Sequence, residues 1–283
     1  MATQERGQPV IYVANVSGGL TSYEALRRTI ARYGRDATRA VFADTKIEDS
    51  DLYRFLDDIE RQLGITIERL ADGRTPFDIW YAERAITLRT AGAGAAPCSK
   101  FLKRKMIARW LATQPQPYTL VFGLDWSEAD RMRRLADNYA PTPVWFPLAD
   151  PPYVDKCRIA DDLERDGIKV PQLYIDGFVH NNCGGGCVKA GQAHWAHLWR
   201  TRPATYARWE AEEARFRAWV GKDVSILKDR RGGRAKPLTL AVFRERLERG
   251  EAYDTLEWGG CGCFAPVTQT RMEILLEVTP RGQ

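Results

Sequence analysis

The sequence contains no apolar segment of the roughly 18–20 residues that a membrane-spanning helix requires. The polar residues 1–9 precede an apolar stretch that is short and interrupted by two glycines, which is not the pattern of a secretory signal peptide. Internal repeats and low-complexity tracts are also lacking. These absences exclude membrane-spanning and repeat architectures, and we expect a cytoplasmic protein with no membrane partner.

The composition supports a folded chain. Hydrophobic residues make up 44% of the 283 positions and charged residues 28%, a balance that provides a buried core and argues against disorder. The length suits one large domain or a domain with an appendage. A net charge of +5 is explained equally well by a solvated arginine-rich surface and by a polyanionic partner. Six cysteines in a reducing compartment favour metal or redox chemistry over disulfides.

Short apolar runs alternate with helical patterns in the first half of the chain. β-branched and aromatic runs predict strands at 10–16, 39–43, 65–70 and 119–123. Helical spacing predicts helices at 21–33, 51–63, 100–111, 154–164, 195–219 and 238–249. The proline-rich segment 141–152 is expected to be irregular. Strands that alternate with helices indicate a parallel sheet covered on both faces.

The segment SGGLTS, residues 17–22, lies between the first predicted strand and helix. Glycines let the backbone approach a phosphate closely, and a helix N-terminus offers unpaired N–H groups and a positive dipole end. The hydroxyls of Ser17, Thr21 and Ser22 add donors. The segment matches neither G-x-x-x-x-G-K-[ST] nor G-x-G-x-x-G. It therefore predicts a phosphate loop of another kind, with a plain Gly-Gly turn capped by Thr21 as the alternative.

This loop resembles the PP-loop of ATP pyrophosphatases, in which Ser-Gly-Gly-x-x-Ser follows the first strand. The superfamily includes phosphoadenylylsulfate (PAPS) reductases, tRNA-thiolation enzymes and DNA-phosphorothioation sulfurtransferases. Four more segments resemble, in order, motifs of the reductase-like branch: 42–53 with Asp44, Thr45, Glu48 and Tyr53; 98–103, a cysteine before a basic helix; 123–131, GLDWSEADR; and 167–187, which ends in two cysteines. The resemblance covers about residues 10–190.

Two positions depart from the family pattern. Lys46 stands where the strand-two motif has glycine, and Asp125 stands where the strand-four loop commonly has arginine. The nucleotide contacts of those two positions are therefore not carried over to this chain. Arg131 is retained as a candidate phosphate partner, with an ordinary surface position on a helix as the alternative.

The resemblance implies an α/β fold with a parallel five-stranded sheet of the adenine-nucleotide α-hydrolase (HUP) type and helices on both faces. By the same resemblance, ATP and Mg²⁺ bind at the carboxyl ends of the strands. The implied nucleotide-binding residues are Ser17, Gly18, Gly19, Thr21, Ser22, Asp44, Gly123 and Arg131. The implied catalytic residues are Ser17, Ser22, Asp44, Cys98 and Lys100. We predict a PP-loop nucleotide-binding core at 1–150 and a cysteine-rich, mostly helical substrate- or metal-binding part at 151–283.

Five of the six cysteines lie in settings that suit metal ligands. Cys183 and Cys187 flank three glycines, and Cys261 and Cys263 flank another. Glycine lets the backbone fold closely around a metal, and thiolates bind zinc and iron–sulfur clusters. Sulfur-transferring relatives hold a [4Fe–4S] cluster on three cysteines, and by that resemblance the ligands come from Cys98, Cys183, Cys187 and Cys263, with Cys261 as an alternate. Zinc and no metal remain the alternatives.

Other polar and aromatic features favour structural roles. Cys157 stands alone on a predicted helix and is expected to be a buried, inert thiol. The pair His194 and His197 shares a helix face but lacks the H-E-x-x-H pattern, so packing or polar roles are favoured over metal binding. Core positions are favoured for a set of four tryptophans, Trp195, Trp199, Trp209 and Trp219. Basic clusters at 100–105 and 228–236 suit either phosphates or a solvated face.

Three functions are compatible with these features. The first is an ATP pyrophosphatase that adenylates a base or phosphate oxygen, after which sulfur from a donor protein replaces AMP, with nucleic acid as the candidate acceptor. The second is a sulfonucleotide reductase, although the E-C-G-x-H motif of that group is absent and only Cys261-Gly262-Cys263 stands near its place. The third is a non-catalytic, metal-stabilised nucleic-acid-binding protein. The intact glycines and serines of the 17–22 loop favour an enzyme.

Overall fold

The computed structural model describes residues 10–87 and 96–259. Five parallel strands form one sheet in the order β3-β2-β1-β4-β5. They are β1 (Ile11–Asn15), β2 (Thr38–Asp44), β3 (Ile67–Ala71), β4 (Tyr118–Phe122) and β5 (Val144–Trp145). The first four occupy the predicted positions. The expectation of an irregular 141–152 segment is wrong in part, because β5 lies within it and pairs with β4.

The helices of the described part follow the sheet strands and dominate after residue 150. They are α1 (Leu20–Tyr33), α2 (Ser50–Leu63), α3 (Pro76–Glu83), α4 (Lys105–Leu111), α5 (Ala129–Tyr139), α6 (Lys156–Arg165), α7 (Gln172–Ile175), α8 (Gln192–Thr201), α9 (Pro203–Val220) and α10 (Leu240–Glu248). A π-helical turn, Ser99–Arg104, leads into α4. None of these described helices has the length and apolarity needed to cross a membrane.

Alternate side chains of the strands pack against helices on opposite faces of the sheet. Ala14 and Phe42 belong to a buried cluster with α1, α2 and α6. Their neighbours Val13 and Val41 belong to a second cluster, with α4 and α5. This alternation is the period of two that a strand imposes on its side chains. The chain is therefore an α/β protein whose all-parallel sheet is covered on both faces.

The later helices build a third buried cluster around aromatic side chains. Trp195 and Trp209 are at most 3% exposed and pack with Trp80 of α3, which confirms the prediction of core positions for those two. Trp219 is half-exposed, so the same prediction is wrong for it. The predicted helix at 195–219 is two helices, because the chain bends at Arg202 and restarts with a proline at the first position of α9.

A short antiparallel hairpin, β6 (Leu227–Asp229) and β7 (Lys236–Leu238), joins α9 to α10. Buried Glu213 of α9 fixes this connection. One of its carboxylate oxygens accepts the Ile226 N–H and the other accepts the Leu240 N–H, both at 2.6 Å. Burial raises the pKa of Glu213, and the two backbone hydrogen bonds oppose that rise. The carboxylate thus satisfies two backbone donors that have lost water.

Replacing Glu213 with alanine is expected to lower the free energy of unfolding by about 2–4 kcal/mol, since two buried N–H groups lose their acceptor. Urea denaturation measures the change. Glu210→Ala is the matched control on the same helix, because Glu210 forms a partly exposed ion pair with Arg244 and should cost less than about 1 kcal/mol. Equal losses in the two variants would contradict this role for Glu213.

Candidate active site

A cavity of about 290 Å³ opens where the sheet changes winding direction. β1 and β4 are neighbours, but α1 packs on one face of the sheet and α5, which follows β4, packs on the other. Chains that leave adjacent strands toward opposite faces leave a crevice between their carboxyl ends, and open α/β sheets bind ligands there. The cavity is lined by Asn15 and Ser17 at and just after the end of β1, and by Phe122 and Gly123 at the end of β4.

The 17–22 loop is held in shape by its own hydroxyls. The Ser22 hydroxyl accepts a hydrogen bond from the Ser17 N–H at 3.1 Å and donates one to the Gly19 carbonyl at 2.8 Å. Gly18 has a φ of +78°, and a Cβ there would lie 2.7 Å from the Leu52 side chain. The loop therefore requires glycine at 18, and Ser22 acts as its internal brace.

The start of α1 faces the cavity, and its N-cap, Gly19, has no side chain that could cap the helix. Thr21 and Ser22 of the first turn line the cavity. The Tyr174 hydroxyl accepts the Leu20 N–H at 3.3 Å, and Asn181 Nδ2 donates to the Gly18 carbonyl at 2.7 Å. Backbone N–H groups of the first turn of a helix are suited to bind an anion.

Gly123 brings the β4 end against this first turn. A Cβ at 123 would overlap the carbonyl oxygen of Thr21 and lie 2.7 Å from the Ser22 Cα. Any side chain would therefore push the β4 loop away from α1 and widen the cavity. Of the residues proposed for the nucleotide, Ser17, Gly19, Thr21, Ser22, Gly123 and Arg131 all line this one cavity.

Four basic side chains line the cavity: Lys103, Arg131, Lys156 and His180. Lys103 is 5% exposed, and its ammonium lies 3.8 Å from a Glu48 carboxylate oxygen. Arg131 is paired with Glu128 at 2.5 Å. Three of these groups are cations at neutral pH and two carboxylates, Asp125 and Glu128, also line the cavity, so the lining keeps a net positive charge that favours an anionic ligand.

Burial is the main cause that lowers the pKa of two of these groups, His180 and Lys156. Burial, followed by the charges of Lys156, Arg131 and His194, lowers the pKa of His180 to about 4. Burial also lowers the pKa of Lys156, whose ammonium donates to the Val179 carbonyl at 2.8 Å. Shifts of this kind are expected for basic groups that lie close together with little access to water.

The Asn15 side chain adds a polar atom to the cavity wall. Asn15 is 6% exposed, and its Nδ2 donates to the Val121 carbonyl at 3.3 Å. Its Oδ1 accepts no hydrogen bond from the described residues. A buried acceptor of this kind is costly unless a donor reaches it, so it marks a point where a ligand can donate.

Asp44 and Lys100, two of the predicted catalytic residues, lie outside the described lining of this cavity. Asp44 ends β2, and its carboxylate accepts hydrogen bonds at 2.7–2.8 Å from the Lys46 N–H, the Lys46 ammonium and the Tyr53 hydroxyl. Burial opposes ionisation of Asp44, but these hydrogen bonds outweigh it and lower its pKa. The Lys100 ammonium lies 5.2 Å from the Phe101 ring centroid.

Lys46 keeps the backbone conformation that glycine favours. Its φ is +63°, in the left-handed region that non-glycine residues rarely adopt. Lysine at this position therefore adopts a left-handed turn and provides an ammonium that pairs with Asp44. Strain at this position is offset by the two hydrogen bonds that Lys46 donates.

Glu48 connects the cavity to the cysteine loop. Its side chain is 1% exposed, and one oxygen accepts the Thr45 hydroxyl at 2.8 Å. The other oxygen accepts the N–H of Cys183. Because Lys103 is the ion-pair partner of the same carboxylate, Glu48 joins the β2 turn, the cavity and the Cys183 loop through one buried group.

The four described cysteines lie in different settings and form no disulfide with one another. Cys98 is half-buried at the start of the π-helical turn, Cys183 is buried, and Cys187 is half-buried. The expectation of a buried Cys157 is wrong, because the thiol lies on the outward face of α6 and is exposed. Within residues 10–87 and 96–259, no three His, Cys, Asp or Glu side chains lie close enough to hold a metal ion.

Cys261 and Cys263 lie outside the described residues. The described chain ends at Gly259, which forms an antiparallel bridge with Ala190, and the Trp258 carbonyl accepts the Gly191 N–H at 3.1 Å. The end of the described part therefore lies beside Ala190, which is three residues after Cys187 in the sequence. The described thiols do not form a cluster site by themselves, and the iron–sulfur prediction rests on the contribution of these last two cysteines.

The histidine pair and the second basic cluster are not among the residues that line the cavity. His194 and His197 contact the backbone carbonyls of Gly185 and Asp176 at 2.6 and 2.7 Å, in agreement with the predicted polar roles. The cluster at 228–236 forms the exposed β6–β7 hairpin. Two of its arginines pair with carboxylates of the same region.

His180 gives the site a testable pH dependence. The folded-state pKa of about 4 lies below the ordinary 6.5, so the unfolded chain takes up this proton first as the pH falls. Stability should therefore fall from pH 6.5 to 4. A bound polyphosphate should raise the His180 pKa, so that its affinity increases as the pH falls through the same window. His180→Asn should flatten both dependences.

Histidine NMR can follow this titration, because the chain has three histidines. The control is His194, whose pKa is lowered by burial and which contacts the Gly185 carbonyl rather than the cavity. A ligand that shifts both histidines equally would contradict direct contact with His180.

Chemically, the cavity is equipped to bind and polarise a phosphorylated ligand. No protein-family model matches this chain. A search of curated proteins also found no match.

Proposed function

We propose that this cavity binds ATP and that the protein is a PP-loop ATP pyrophosphatase with a HUP-type sheet, which adenylates its substrate. The observation that carries the proposal is the combination of the α1 start, whose N-cap is Gly19, with buried Lys103 and half-buried Arg131 and Lys156 at the switch point of a parallel sheet. A single carboxylate or sulfate needs fewer donors than this cavity offers. A triphosphate uses them all.

The proposed reaction is displacement at the α-phosphorus. An oxygen of the acceptor attacks that atom, the bond between the α-phosphorus and its bridging oxygen breaks, and pyrophosphate leaves. The N–H groups of the first turn of α1, together with Lys103, would stabilise the charge that develops on pyrophosphate. Arg131 and Lys156 would hold the remaining phosphate oxygens in line with the attacking group.

Mg²⁺ would accompany the nucleotide. Asp125 and Glu128 line the cavity and would hold such an ion on release from their present partners, Ser127 and Arg131. Asp44 is engaged by Lys46 and Tyr53. One or two carboxylates with substrate phosphates are the usual ligands of Mg²⁺ in enzymes. Its charge would assist departure of pyrophosphate.

We further propose that the adenylated substrate receives sulfur, with nucleic acid as the acceptor and a separate protein as the donor. The Glu48 link between the cavity and the buried Cys183 supports this, because it places a thiol loop beside the adenylation site. A [4Fe–4S] cluster would supply or relay the sulfur when bound, and iron and sulfide analysis of anaerobically purified protein tests for it. Zinc in place of iron would exclude the cluster.

The test of the proposal is thermal stabilisation by ATP–Mg²⁺, adenylylsulfate and PAPS in parallel, because a ligand of the folded state raises the apparent stability by mass action. Stabilisation by ATP alone, lost in Ser17→Ala/Ser22→Ala, supports the adenylating enzyme. Preference for a sulfonucleotide would instead assign the cavity to a reductase. Stabilisation by none of the three would leave the non-catalytic binding protein.

A further inference from the structure

Two large aromatic side chains stand exposed together beside the cavity. Trp126 is 56% exposed and Tyr153 is 60% exposed. Their ring centroids are 6.2 Å apart with the planes inclined at 63°. We call this pair the aromatic lip. Exposed aromatic pairs of this kind are uncommon on a surface without a partner, since tryptophan and tyrosine contribute strongly to binding when they are covered.

The lip lies between two concave surfaces. Trp126 immediately precedes Ser127, which lines the candidate active site, and Lys156 of the same site follows Tyr153 by three residues. Tyr153 itself lines an adjoining open groove of about 720 Å³. A molecule that entered the cavity from the groove would therefore pass over the lip.

The groove is wide, and most of its positive charge is balanced by carboxylates. Its four arginines, Arg27, Arg28, Arg32 and Arg158, face three carboxylates, Glu24, Asp150 and Asp162. Arg28 is used structurally, because it donates to the carbonyls of Pro147, Asp150 and Pro152. Arg32 and Arg158 are equally exposed, and Arg32 lies 5.2 Å from the ring centroid of Trp145 while Arg158 pairs with Asp162. The exposed rings of the lip are therefore the distinctive recognition element of this surface.

We propose that the aromatic lip stacks an unpaired base of a single-stranded nucleic acid and presents it to the adenylation site, with the flanking chain lying in the groove. This inference rests on the proposed function for the position of the reacting phosphate, and it specifies the acceptor class. Aromatic side chains stack any base, because every base has a π-face, whereas a base within a duplex is already stacked on its neighbours. A folded protein partner would not depend on ring faces alone.

The experiment measures the binding of a short fluorescein-labelled oligo(dT), and of a duplex of the same length, as the salt concentration is varied. Trp126→Ala and Tyr153→Ala are each expected to weaken oligo(dT) binding by roughly 5- to 150-fold, the range for loss of one stacked base. The dependence of the affinity on salt should not change, because no charge is removed. Trp126→Phe should restore most of the affinity.

Trp219→Ala is the matched control, since Trp219 is 50% exposed but contacts Tyr81 on α3 rather than the cavity. The proposal is overturned if Trp126→Ala and Tyr153→Ala bind oligo(dT) as the wild type does, or if Trp219→Ala loses as much affinity as they do. It is also overturned if the wild-type protein binds the duplex equally well or does not bind oligo(dT) at all. ATP stabilisation is measured on every variant. Its parallel loss in the lip variants would assign the lip to the adenine of ATP and overturn the acceptor assignment.

The two proposals can fail separately. If ATP does not stabilise the wild-type protein but oligo(dT) binding still depends on the lip, the adenylation proposal fails and the base-stacking surface stands. If ATP stabilises all variants equally and oligo(dT) binding ignores the lip, the adenylation proposal stands and the acceptor assignment fails.

Discussion

Lys103→Met is expected to weaken ATP binding by about 10- to 150-fold, the equivalent of one charge-assisted hydrogen bond of about 1.5–3 kcal/mol. The ammonium lines the cavity and is 5% exposed, so little water competes with a phosphate for it. Methionine keeps the length and apolar body of the side chain while removing the charge. Isothermal titration calorimetry with ATP–Mg²⁺ measures the change in affinity.

Lys100→Met is the matched control from the same π-helical turn. Its ammonium lies over the Phe101 ring and outside the cavity, so its loss should change ATP affinity less than about threefold, the scale of a screened surface charge. The Lys103 variant also leaves Glu48 without its cation, so its stability is measured alongside. A larger effect from Lys100 than from Lys103 would contradict the site as described.

The position of the 17–22 loop between β1 and α1 could be predicted from sequence because its signals are local. A strand that ends in two glycines and leads into a helix specifies the loop, the helix start and the carboxyl edge of the sheet together. The same locality explains the agreement for β1 to β4, whose buried runs are short and β-branched. β5 escaped prediction because two residues in a proline-rich segment carry no periodic signal, and pairing with β4 alone defines the strand.

The basic wall of the cavity could not be predicted in the same way, because its members come from distant segments. Lys103 and Lys100 are three residues apart in one basic helix, and only packing decides which of them faces the cavity. Lys156 and His180 follow the sheet-forming part of the chain and reach the cavity through α6 and the loop before the cysteines. The polar run His180-Asn181-Asn182 was the available signal, and it lies inside a segment of family resemblance.

The cysteine loop shows what glycine spacing does and does not establish. Cys183 itself has a φ of +53°, and a Cβ at Gly186 would overlap the Trp209 ring, so tight packing alone requires part of the C-G-G-G-C pattern. The same pattern was the sequence argument for a metal. Buried aromatic packing and metal binding demand small residues for the same steric reason, and composition cannot separate them.

Glu48→Ala is expected to lower the free energy of unfolding by about 3–5 kcal/mol, the cost of breaking a buried ion pair from one side. The change removes the acceptor of the Cys183 N–H and the carboxylate that forms an ion pair with buried Lys103. The cysteine loop should then open, so that Cys183, 7% exposed in the native protein, is alkylated faster. Urea denaturation gives the stability, and mass spectrometry locates the alkylated thiol.

Glu48→Gln separates the two roles of the carboxylate, because the amide keeps a carbonyl oxygen for the Cys183 N–H but loses the negative charge. It should protect Cys183 nearly as well as the native residue. Like alanine, glutamine removes the negative charge that forms the ion pair with Lys103. Exposed Cys157 serves as the internal reference for alkylation in every variant. If Cys183 reacts at the native rate in Glu48→Ala while stability falls, the loop is held by its packing on Trp209, and Glu48 does not couple the two sites.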